Sequence, residues 1–377
     1  MNILINALGV VDSGGIKVLD RLLNEVKGTI LIQSFVVCNI SVNINIIVDK
    51  YQSCNNITFV TSYKKGYLFR LLYEMFYFQS LIKNYNIDLI YNSTGTGQPF
   101  INTPQLVKIQ NLIFFSKKLD SVFLKRKLFV PWLIDILIKR FFVKCLLIRV
   151  KHIEVQSAHV ENCLSNYISI KNKCIYKKSD INICDNDFSP PKKYDFSKKI
   201  KFLYIVGPHF ELPHKNLTTF VNALSTFNGL NVDYEINITL TKDQLHNSKI
   251  WDPTLDSKTN FLGYIGSQDE MNKLFCSNTI LVSTSIIETL GLHVIDGIKK
   301  GVITIAPNEN YARTVYGDNM NLYDTLNSDS LLNAIQVVLK NDSQHSELIL
   351  SLQDRLKKSE MAKNQNILDI FKEVLNV

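Results

Sequence analysis

Two carboxylates eight positions apart, Glu288 and Asp296, flank Gly291 in a mostly apolar segment. The residues just before them, 279–285, have the composition of a buried parallel strand that runs into a polar loop. A carboxylate in such a loop can accept hydrogen bonds from ligand hydroxyls, and the second carboxylate, about two helical turns further on, lies close to the same side of the helix. Because open α/β sheets bind ligands at the carboxyl ends of their strands, this spacing predicts a ligand site.

The alternative for this acidic pair is an ordinary amphipathic helix start with solvated acids. A second segment bears on that choice, because a turn at Gly207 leads to Lys215 just before a predicted helix, 217–224. The unpaired N–H groups at a helix N-terminus, together with a lysine, suit a diphosphate. The two segments together favour a ligand site over a pair of solvated acids.

These motifs resemble those of the retaining GT-B glycosyltransferases of the family 4 type, which carry two acids at this spacing around a glycine turn. The resemblance implies an α/β GT-B fold, with two Rossmann-like domains that face each other across a cleft. It also implies that Glu288 contacts the donor sugar, Asp296 the ribose and Lys215 the diphosphate. The sequence departs from the family pattern twice: Asp296 replaces the usual Glu, and Pro208, followed by His209, stands where an Arg is usual.

Further site residues are implied by the same resemblance, with Glu288 and Lys215 as the catalytic pair. The implied donor-binding residues are Gly14, Gly15, Pro208, His209, Lys215, Gly263, Tyr264, Glu288, Leu290, Gly291, Leu292 and Asp296. Gln110 and Asn111 end a predicted strand and are expected on the acceptor side, with a solvated strand end as the alternative. No Asp-x-Asp motif follows a predicted strand, so we expect no catalytic metal, and no cofactor besides the nucleotide-sugar substrate.

The activity implied by the resemblance is transfer of a sugar from a nucleotide-diphosphate sugar to a hydroxyl of a saccharide acceptor, with retention of configuration. The implied setting is bacterial surface polysaccharide synthesis, such as that of an O-antigen, with a polyprenyl-diphosphate-linked acceptor. Two alternatives stay open. One is a nucleotide-sugar epimerase of similar fold, and the other is a non-catalytic relative that binds a sugar or a nucleotide.

Around these candidate site residues, predicted apolar strands alternate along the chain with helical stretches. This alternation predicts parallel sheets covered by helices on both faces. At 377 residues the chain is long enough for two such domains. The stretch 189–199, with paired prolines and charges, predicts a linker between an N-terminal acceptor domain, 1–188, and a C-terminal nucleotide-sugar domain, 200–360. The resemblance implies that the last segment, 361–377, is a helix that packs back on the first domain.

Composition narrows the possible partners and compartment. The formal net charge of +8 favours an anionic partner, but the sequence has no nucleic-acid-binding signature, so nucleic acid is not expected. Seven scattered cysteines without zinc spacing and the lack of a basic leader favour a cytoplasmic protein with reduced thiols. Residues 28–48 carry no charge, but polar and apolar residues alternate over 41–46, which predicts a strand there and not a membrane span.

The segment 125–151 combines eight basic residues and one acid with many large apolar side chains. One interpretation is peripheral contact with an anionic membrane surface at the inner face of the cytoplasmic membrane. The other is a partly buried segment of more than one helix, because its charges fall on opposite sides of a helical wheel and form no single polar face.

Overall fold

A computed structural model describes residues 1–10, 13–62, 67–181, 183–229, 232–341, 344–359 and 365–376. The chain divides into two compact units. The first contains Met1–Ser116, Leu128–Asp180 and Lys363–Val377, and the second contains Lys117–Lys127 and Ile181–Ala362. The chain passes from one unit to the other after Asp180, and the second unit also holds a short segment, Lys117–Lys127, from within the predicted domain 1–188.

The strands of both units are short, and nearly every residue in them is buried or half-buried. They are β1 (Asn2–Asn6), β2 (Gln33–Asn39), β3 (Ile57–Ser62), β4 (Leu89–Asn92), β5 (Gln105–Ile109), β6 (His152–Val155), β7 (Cys174–Lys177), β8 (Ile200–Tyr204), β9 (Tyr234–Ile238), β10 (Thr259–Phe261), β11 (Thr279–Val282), β12 (Ile303–Pro307) and β13 (Asn321–Tyr323).

Helices separate most of these strands. They are α1 (Ser13–Val26), α2 (Val42–Tyr51), α3 (Tyr67–Tyr85), α4 (Lys117–Lys125), α5 (Phe129–Pro131), α6 (Lys139–Ile148), α7 (Ala158–Ser165), α8 (Leu217–Phe227), α9 (Lys242–His246), α10 (Gln268–Leu274), α11 (Leu292–Lys299), α12 (Asn310–Val315), α13 (Ser328–Lys340), α14 (His345–Lys358) and α15 (Ile367–Leu375). A π-helical stretch, Trp132–Ile138, joins α5 to α6. Single 3₁₀ turns span Ile113–Phe115 and Asp185–Asp187, and a longer 3₁₀ segment spans Pro253–Lys258.

Each unit contains one parallel sheet among its described residues. The order is β3-β2-β1-β4-β5-β6-β7 in the first unit and β10-β9-β8-β11-β12-β13 in the second. In both sheets the order reverses next to the first strand of the unit, which is the doubly wound arrangement, and ligand sites of such sheets lie at the carboxyl ends of the strands on either side of that reversal. The predicted α/β class with two Rossmann-like units is confirmed.

The predicted strand at 41–46 is wrong, because this stretch enters α2. The Ser41 hydroxyl accepts a hydrogen bond from the backbone N–H of Ile44 at 3.2 Å, which caps the first turn of that helix. Ile44, Ile47 and Tyr51 are buried, at positions i, i+3 and i+7, whereas Ile46 is exposed. Over the ten residues of α2 the buried side chains recur at the helical period, and this longer pattern determines the structure. The alternation over 41–46 arises only because Asn43 and Asn45 stand between apolar residues.

The C-terminal helix α15 packs in the core of the first unit. Its Ile367, Ile370, Phe371 and Val374 are all buried, and the ring of Phe371 makes an edge contact with that of Tyr91 in β4 at 5.7 Å. The start of this helix is fixed by Glu25 of α1, whose carboxylate accepts hydrogen bonds from the Ile367 N–H and the Lys178 ammonium. The last described helix thus supports the sheet formed by the first residues of the chain.

In the described residues, no helix combines the length and the apolar character that a membrane span requires. The same residues contain no cluster of three or more His, Cys, Asp or Glu side chains arranged to hold a metal ion.

Candidate active site

Two loops at the carboxyl edge of the second sheet bring together the two residues assigned catalytic roles. The loop after β8, residues 205–216, carries Lys215 near its end, and the loop after β11, residues 283–291, carries Glu288. Because β8 and β11 are adjacent parallel strands, their loops leave the sheet side by side. The Lys215 Nζ donates a hydrogen bond to the Glu288 Oε1 at 2.7 Å, and both side chains are partly buried.

Backbone contacts fix the spacing of the two loops. The Ile286 N–H donates to the carbonyl of His214 at 2.7 Å, and the Thr284 hydroxyl donates to the carbonyl of Lys215 at 2.8 Å. The buried Tyr204 hydroxyl lies 2.6 Å from that of Thr284. The Lys215–Glu288 ion pair therefore belongs to an ordered arrangement in which each loop supplies the other's hydrogen-bond partners.

Two buried tyrosines donate hydrogen bonds to backbone carbonyls of the loop that carries Glu288, which we call the acidic loop. The Tyr311 hydroxyl donates to the Ser285 carbonyl at 2.7 Å, and the Tyr316 hydroxyl donates to the Leu290 carbonyl at 2.8 Å. Burial raises the pKa of both tyrosines well above the ordinary value, so each remains a hydrogen-bond donor. These contacts satisfy loop carbonyls that would otherwise be buried without a partner.

Gly291 lets α11 begin immediately after this loop. Its φ of +63° lies in the left-handed region, which costs a residue with a Cβ about 1 kcal/mol or more. A Cβ at this position would also overlap the Tyr316 hydroxyl. Leu292 is the first residue of α11, so the N–H groups of its first turn are close in sequence to Glu288 and carry the positive end of the helix dipole.

The electrostatics of the site keep Glu288 ionised. Burial alone would raise its pKa, but the adjacent Lys215 ammonium, the nearby His293 and hydrogen bonds from Lys215 and Ser285 outweigh burial and lower the pKa to about 2. The carboxylate is therefore a hydrogen-bond acceptor throughout the physiological pH range.

Two histidines flank this pair in their neutral form. Burial lowers the pKa of His293 to about 4, and its Nε2 lies 3.0 Å from the Ser283 hydroxyl. Burial, helped by the charge of Lys215, likewise lowers the pKa of His214 to about 4. Lys215 is therefore the cation next to Glu288 at neutral pH, and the histidines contribute neutral imidazoles.

The remaining donor-side residues predicted from the sequence lie at several places on the second unit. Pro208 and His209 are exposed in the loop after β8. Gly263, with φ of +66°, and the exposed Tyr264 follow β10, the outermost strand, two strands away from β8. Asp296 lies on α11 one turn after Leu292 and is partly buried, and the side chain of Leu290, in the loop after β11, is buried.

The predicted residues of the first half lie in the first unit. Gly14 and Gly15 are in the first turn of α1, which follows β1. Gln110 and Asn111 follow β5, and the Asn111 side chain accepts a hydrogen bond from the Ile113 N–H at 2.9 Å. The buried Gln110 amide nitrogen has no hydrogen-bond partner within the described residues.

The structure adds a residue that the sequence did not point to, Arg126. It follows α4 in the short segment that belongs to the second unit, and its guanidinium donates to the Asn216 side chain at 3.0 Å. Asn216 is buried, has φ of +53°, and stands between Lys215 and α8. No sequence signal connects positions 126 and 216, because their proximity depends on which unit the segment joins. His293 could have been noticed, since it lies in the segment between the two acids.

Comparison with known proteins gives structural relatives only. Neither a protein-family model nor a curated protein matches the sequence. Among solved structures, sucrose-phosphate synthase from Thermosynechococcus elongatus superposes with a TM-score of 0.72 at 15% identity, over 100% of this chain and 99% of that one. HepE of Anabaena, in complex with UDP and glucose, gives 0.69 at 12% identity, over 100% and 98%. WaaG, a glycosyltransferase involved in lipopolysaccharide biosynthesis, gives 0.64 at 10% identity, over 99% of each chain.

The fold is the GT-B fold. The match extends over the whole chain, so both units and the returning helix α15 are included in it. At identities of 10–15% the similarity concerns the GT-B architecture and not the chemistry of individual positions.

Proposed function

We propose that this protein is a glycosyltransferase that moves a sugar from a nucleotide-diphosphate sugar to a hydroxyl of a saccharide acceptor. The observation that carries the proposal is the Lys215–Glu288 pair, built on adjacent loops at the carboxyl edge of a GT-B unit. The pair offers a cation for a leaving diphosphate and a carboxylate, ionised at physiological pH, that accepts hydrogen bonds from sugar hydroxyls, as the reaction requires. Solved proteins of this fold support the donor class: HepE was captured with UDP and glucose, and a trehalose-6-phosphate protein from E. coli with UDP-2-fluoro glucose.

Within this proposal each part of the site has a role. Lys215 and the N–H groups at the start of α8 and α11 stabilise the diphosphate, and Glu288 accepts hydrogen bonds from the sugar. Asp296 contacts the ribose, and the turn at Gly263 and Tyr264 lies beside the base. Gln110 and Asn111 line the acceptor side.

The remaining donor contacts come from backbone groups and from the loop after β8. They are assigned to Gly14, Gly15, Pro208, His209, Leu290, Gly291 and Leu292.

The reaction replaces the bond from the anomeric carbon to the diphosphate oxygen by a bond to the acceptor oxygen. We propose that the leaving diphosphate takes the acceptor's proton on the same face of the sugar, which gives retention, and that Glu288 orients hydroxyls without attacking the anomeric carbon. Lys215 supplies the positive charge, so the transfer is proposed to proceed without a divalent metal. Product anomer assignment by NMR and activity in EDTA check these two statements.

We further propose a role in bacterial surface polysaccharide synthesis, of the O-antigen type, with a polyprenyl-diphosphate-linked acceptor at the inner face of the cytoplasmic membrane. Support comes from two structural relatives: WaaG, a glycosyltransferase involved in lipopolysaccharide biosynthesis, and WaaB, a lipopolysaccharide outer core galactosyltransferase. An acceptor embedded in a membrane would require the enzyme to work at the bilayer surface.

A thermal-shift screen of nucleotide-sugars identifies the donor, because a ligand that binds only the folded state raises the melting temperature. Transfer from that donor is then compared between the parent protein, Glu288→Gln, and the matched surface control Glu270→Gln, whose side chain is exposed on α10. We expect a loss of at least about a hundredfold for Glu288→Gln, the size of effect seen when one electrostatic contact to a transition state is removed.

The same assay distinguishes the alternatives. Conversion of the nucleotide-sugar to an isomer without any acceptor would identify an epimerase. Donor binding with no turnover across a panel of saccharide acceptors would identify a non-catalytic binding protein. Undiminished transfer by Glu288→Gln would show that the site has been placed wrongly.

A further inference from the structure

The helical run Phe129–Ile148 in the first unit has an apolar face on each side. Its inner face consists of Ile136, Val143 and Leu147, which are buried, with Val150 just beyond the helix. Its outer face consists of Ile134, Ile138, Phe141, Cys145 and Ile148, all exposed and spaced by four, three, four and three residues. That spacing places the five side chains on one stripe along the helix. We call these five residues the outer stripe.

The outer stripe does not result from a helix that is loosely placed. Lys173 donates from its Nζ to the carbonyls of Leu147, Ile148 and Val150 at 2.6–3.1 Å, which caps the C-terminal end of α6. Arg140 donates to the Phe114 carbonyl at 2.7 Å, and its guanidinium lies over the ring of Tyr167. The helix is thus fixed at its middle and at its end, and the orientation that buries the inner face necessarily exposes the outer stripe.

Further large apolar side chains extend this surface at the start of the run. Phe129, Val130 and Leu133 are each at least half exposed, and Phe142 lies beside the stripe with 49% exposure. An apolar patch of this extent is uncommon on a monomeric soluble protein and marks a contact with a membrane or with another protein.

The charges around the stripe decide between these two occupants. Residues 129–151 contain five basic residues and one acid, a net charge of +4 out of the chain's +8. The acid, Asp135, is paired with Lys139, while Lys144, Arg149 and Lys151 are exposed around the C-terminal half of the stripe. A second copy docked through the same face would bring two clusters of this charge together, whereas an anionic surface complements it.

We propose that the outer stripe is a docking surface for an anionic lipid bilayer, with the apolar side chains inserted at the interface and Lys144, Arg149 and Lys151 at the level of the headgroups. The helix would lie in the plane of the membrane, because its inner face remains packed on the first unit. This inference needs no sugar transfer and therefore stands or falls independently of the proposed function.

The proposed docking surface is tested by flotation of the full-length protein with vesicles of phosphatidylglycerol and, separately, of phosphatidylcholine. We expect binding to phosphatidylglycerol that weakens as salt rises from 50 to 500 mM, and much weaker binding to phosphatidylcholine. Lys144→Gln/Arg149→Gln should lower the partition coefficient about thirtyfold, since each basic residue near an anionic surface contributes about a fivefold factor.

Ile138→Ser/Phe141→Ser should lower partition by a factor on the order of a hundred. The matched control is Val337→Ser/Leu350→Ser, two comparably exposed apolar residues of the second unit, and it should bind as the parent does. Unchanged melting temperatures establish that the variants are folded.

Three exposed cysteines provide a readout without any substitution. Cys145 lies in the outer stripe, whereas Cys174 lies in β7 and Cys184 lies in the second unit. Maleimide labelling followed by peptide mass analysis should show Cys145 protected by phosphatidylglycerol vesicles and Cys184 labelled at its usual rate. The proposal is overturned by absence of flotation at low salt, by flotation with Cys145 unprotected, or by lipid-free dimers in which Cys145 becomes protected as concentration rises.

Discussion

At the scale of single residues, the candidate site depends on one backbone position, Gly291. Its left-handed φ turns the chain from the acidic loop into α11, and the Tyr316 hydroxyl occupies the space that a Cβ would need. We expect Gly291→Ala to lower the free energy of unfolding by about 2–5 kcal/mol through backbone strain and overpacking. Urea unfolding measures this value.

A matched control and a second-site variant separate the two causes. Gly207, in the neighbouring loop, has open space around its Cβ position, so Gly207→Ala should change stability by less than about 0.5 kcal/mol. In a Tyr316→Phe background the nearest atom to the added Cβ is the ring Cζ at 3.3 Å, so most of the overlap is removed and the cost of Gly291→Ala should fall by about 1 kcal/mol or more. Equal costs in both backgrounds would contradict the role given to the Tyr316 hydroxyl.

The ionisable groups around Lys215 make the second unit sensitive to acid. His214 and His293 have pKa values lowered to about 4, so between pH 6.5 and 4 the unfolded chain binds protons that the folded chain does not, and stability falls with falling pH. Glu288 acts in the same direction at lower pH, because its pKa is lowered from 4.5 to about 2 and protonation breaks its pair with Lys215.

Unfolding by urea at pH 7 and at pH 5 checks this prediction. The parent should be less stable at pH 5, and His293→Gln should reduce the difference between the two pH values. His209→Gln, in the exposed part of the loop after β8, is the matched control and should leave most of the difference in place, because His209 makes the smallest of the contributions that lower the pKa of His214. A His293→Gln protein with the parent's full pH dependence would refute the assignment of the neutral, buried form to His293.

At the scale of elements, the segment Lys117–Lys127 links the first half of the chain to the donor side. Through Arg126 it holds Asn216, which follows Lys215 and precedes α8. If Lys215 binds a diphosphate, Arg126→Gln should weaken donor binding about tenfold, because a charged hydrogen bond that fixes the loop is lost. The exposed neighbour Lys125→Gln should have little effect. Calorimetric titration with the donor found by thermal shift distinguishes the two variants, and equal losses would point to general electrostatics instead.

The sequence predicted most of the elements that form the site, since long stretches with a clear period specify their own structure. The strand that begins at Thr279 and the helix that begins at Leu217 could be located in this way, and with them the loops that carry Lys215 and Glu288. The helix α2 was misread, because a six-residue window showed alternation while burial followed Ile44, Ile47 and Tyr51. The contact of Arg126 with Asn216 and the tyrosine donors could not be predicted, because they join residues far apart in sequence and need the tertiary fold.

At the scale of the whole molecule, the first unit is completed by residues from the end of the described chain. The four core side chains of α15, which are Ile367, Ile370, Phe371 and Val374, contact a cluster that includes residues of β1 and α1. Burial of each large apolar side chain stabilises a fold by about 1.5–3 kcal/mol, so α15 contributes an amount comparable to the whole stability of a typical domain. The unit is therefore expected to depend on a helix that joins it only after the second unit has been synthesised.

A variant that ends at Lys358 should consequently leave the first unit unfolded while the second retains its sheet. Amide hydrogen exchange read by mass spectrometry distinguishes an unfolded first unit from a folded one, because fast exchange should appear in β1 to β7 and slow exchange should persist in β8 and β11.

Phe371→Ala in the full chain is a milder test and should lower the stability of the first unit by about 3–5 kcal/mol. Leu350→Ala, an exposed site on α14 in the second unit, serves as the control and should leave exchange in the first unit unchanged. Full protection of β1 to β7 in the shortened protein would mean that α15 covers the unit without supporting it.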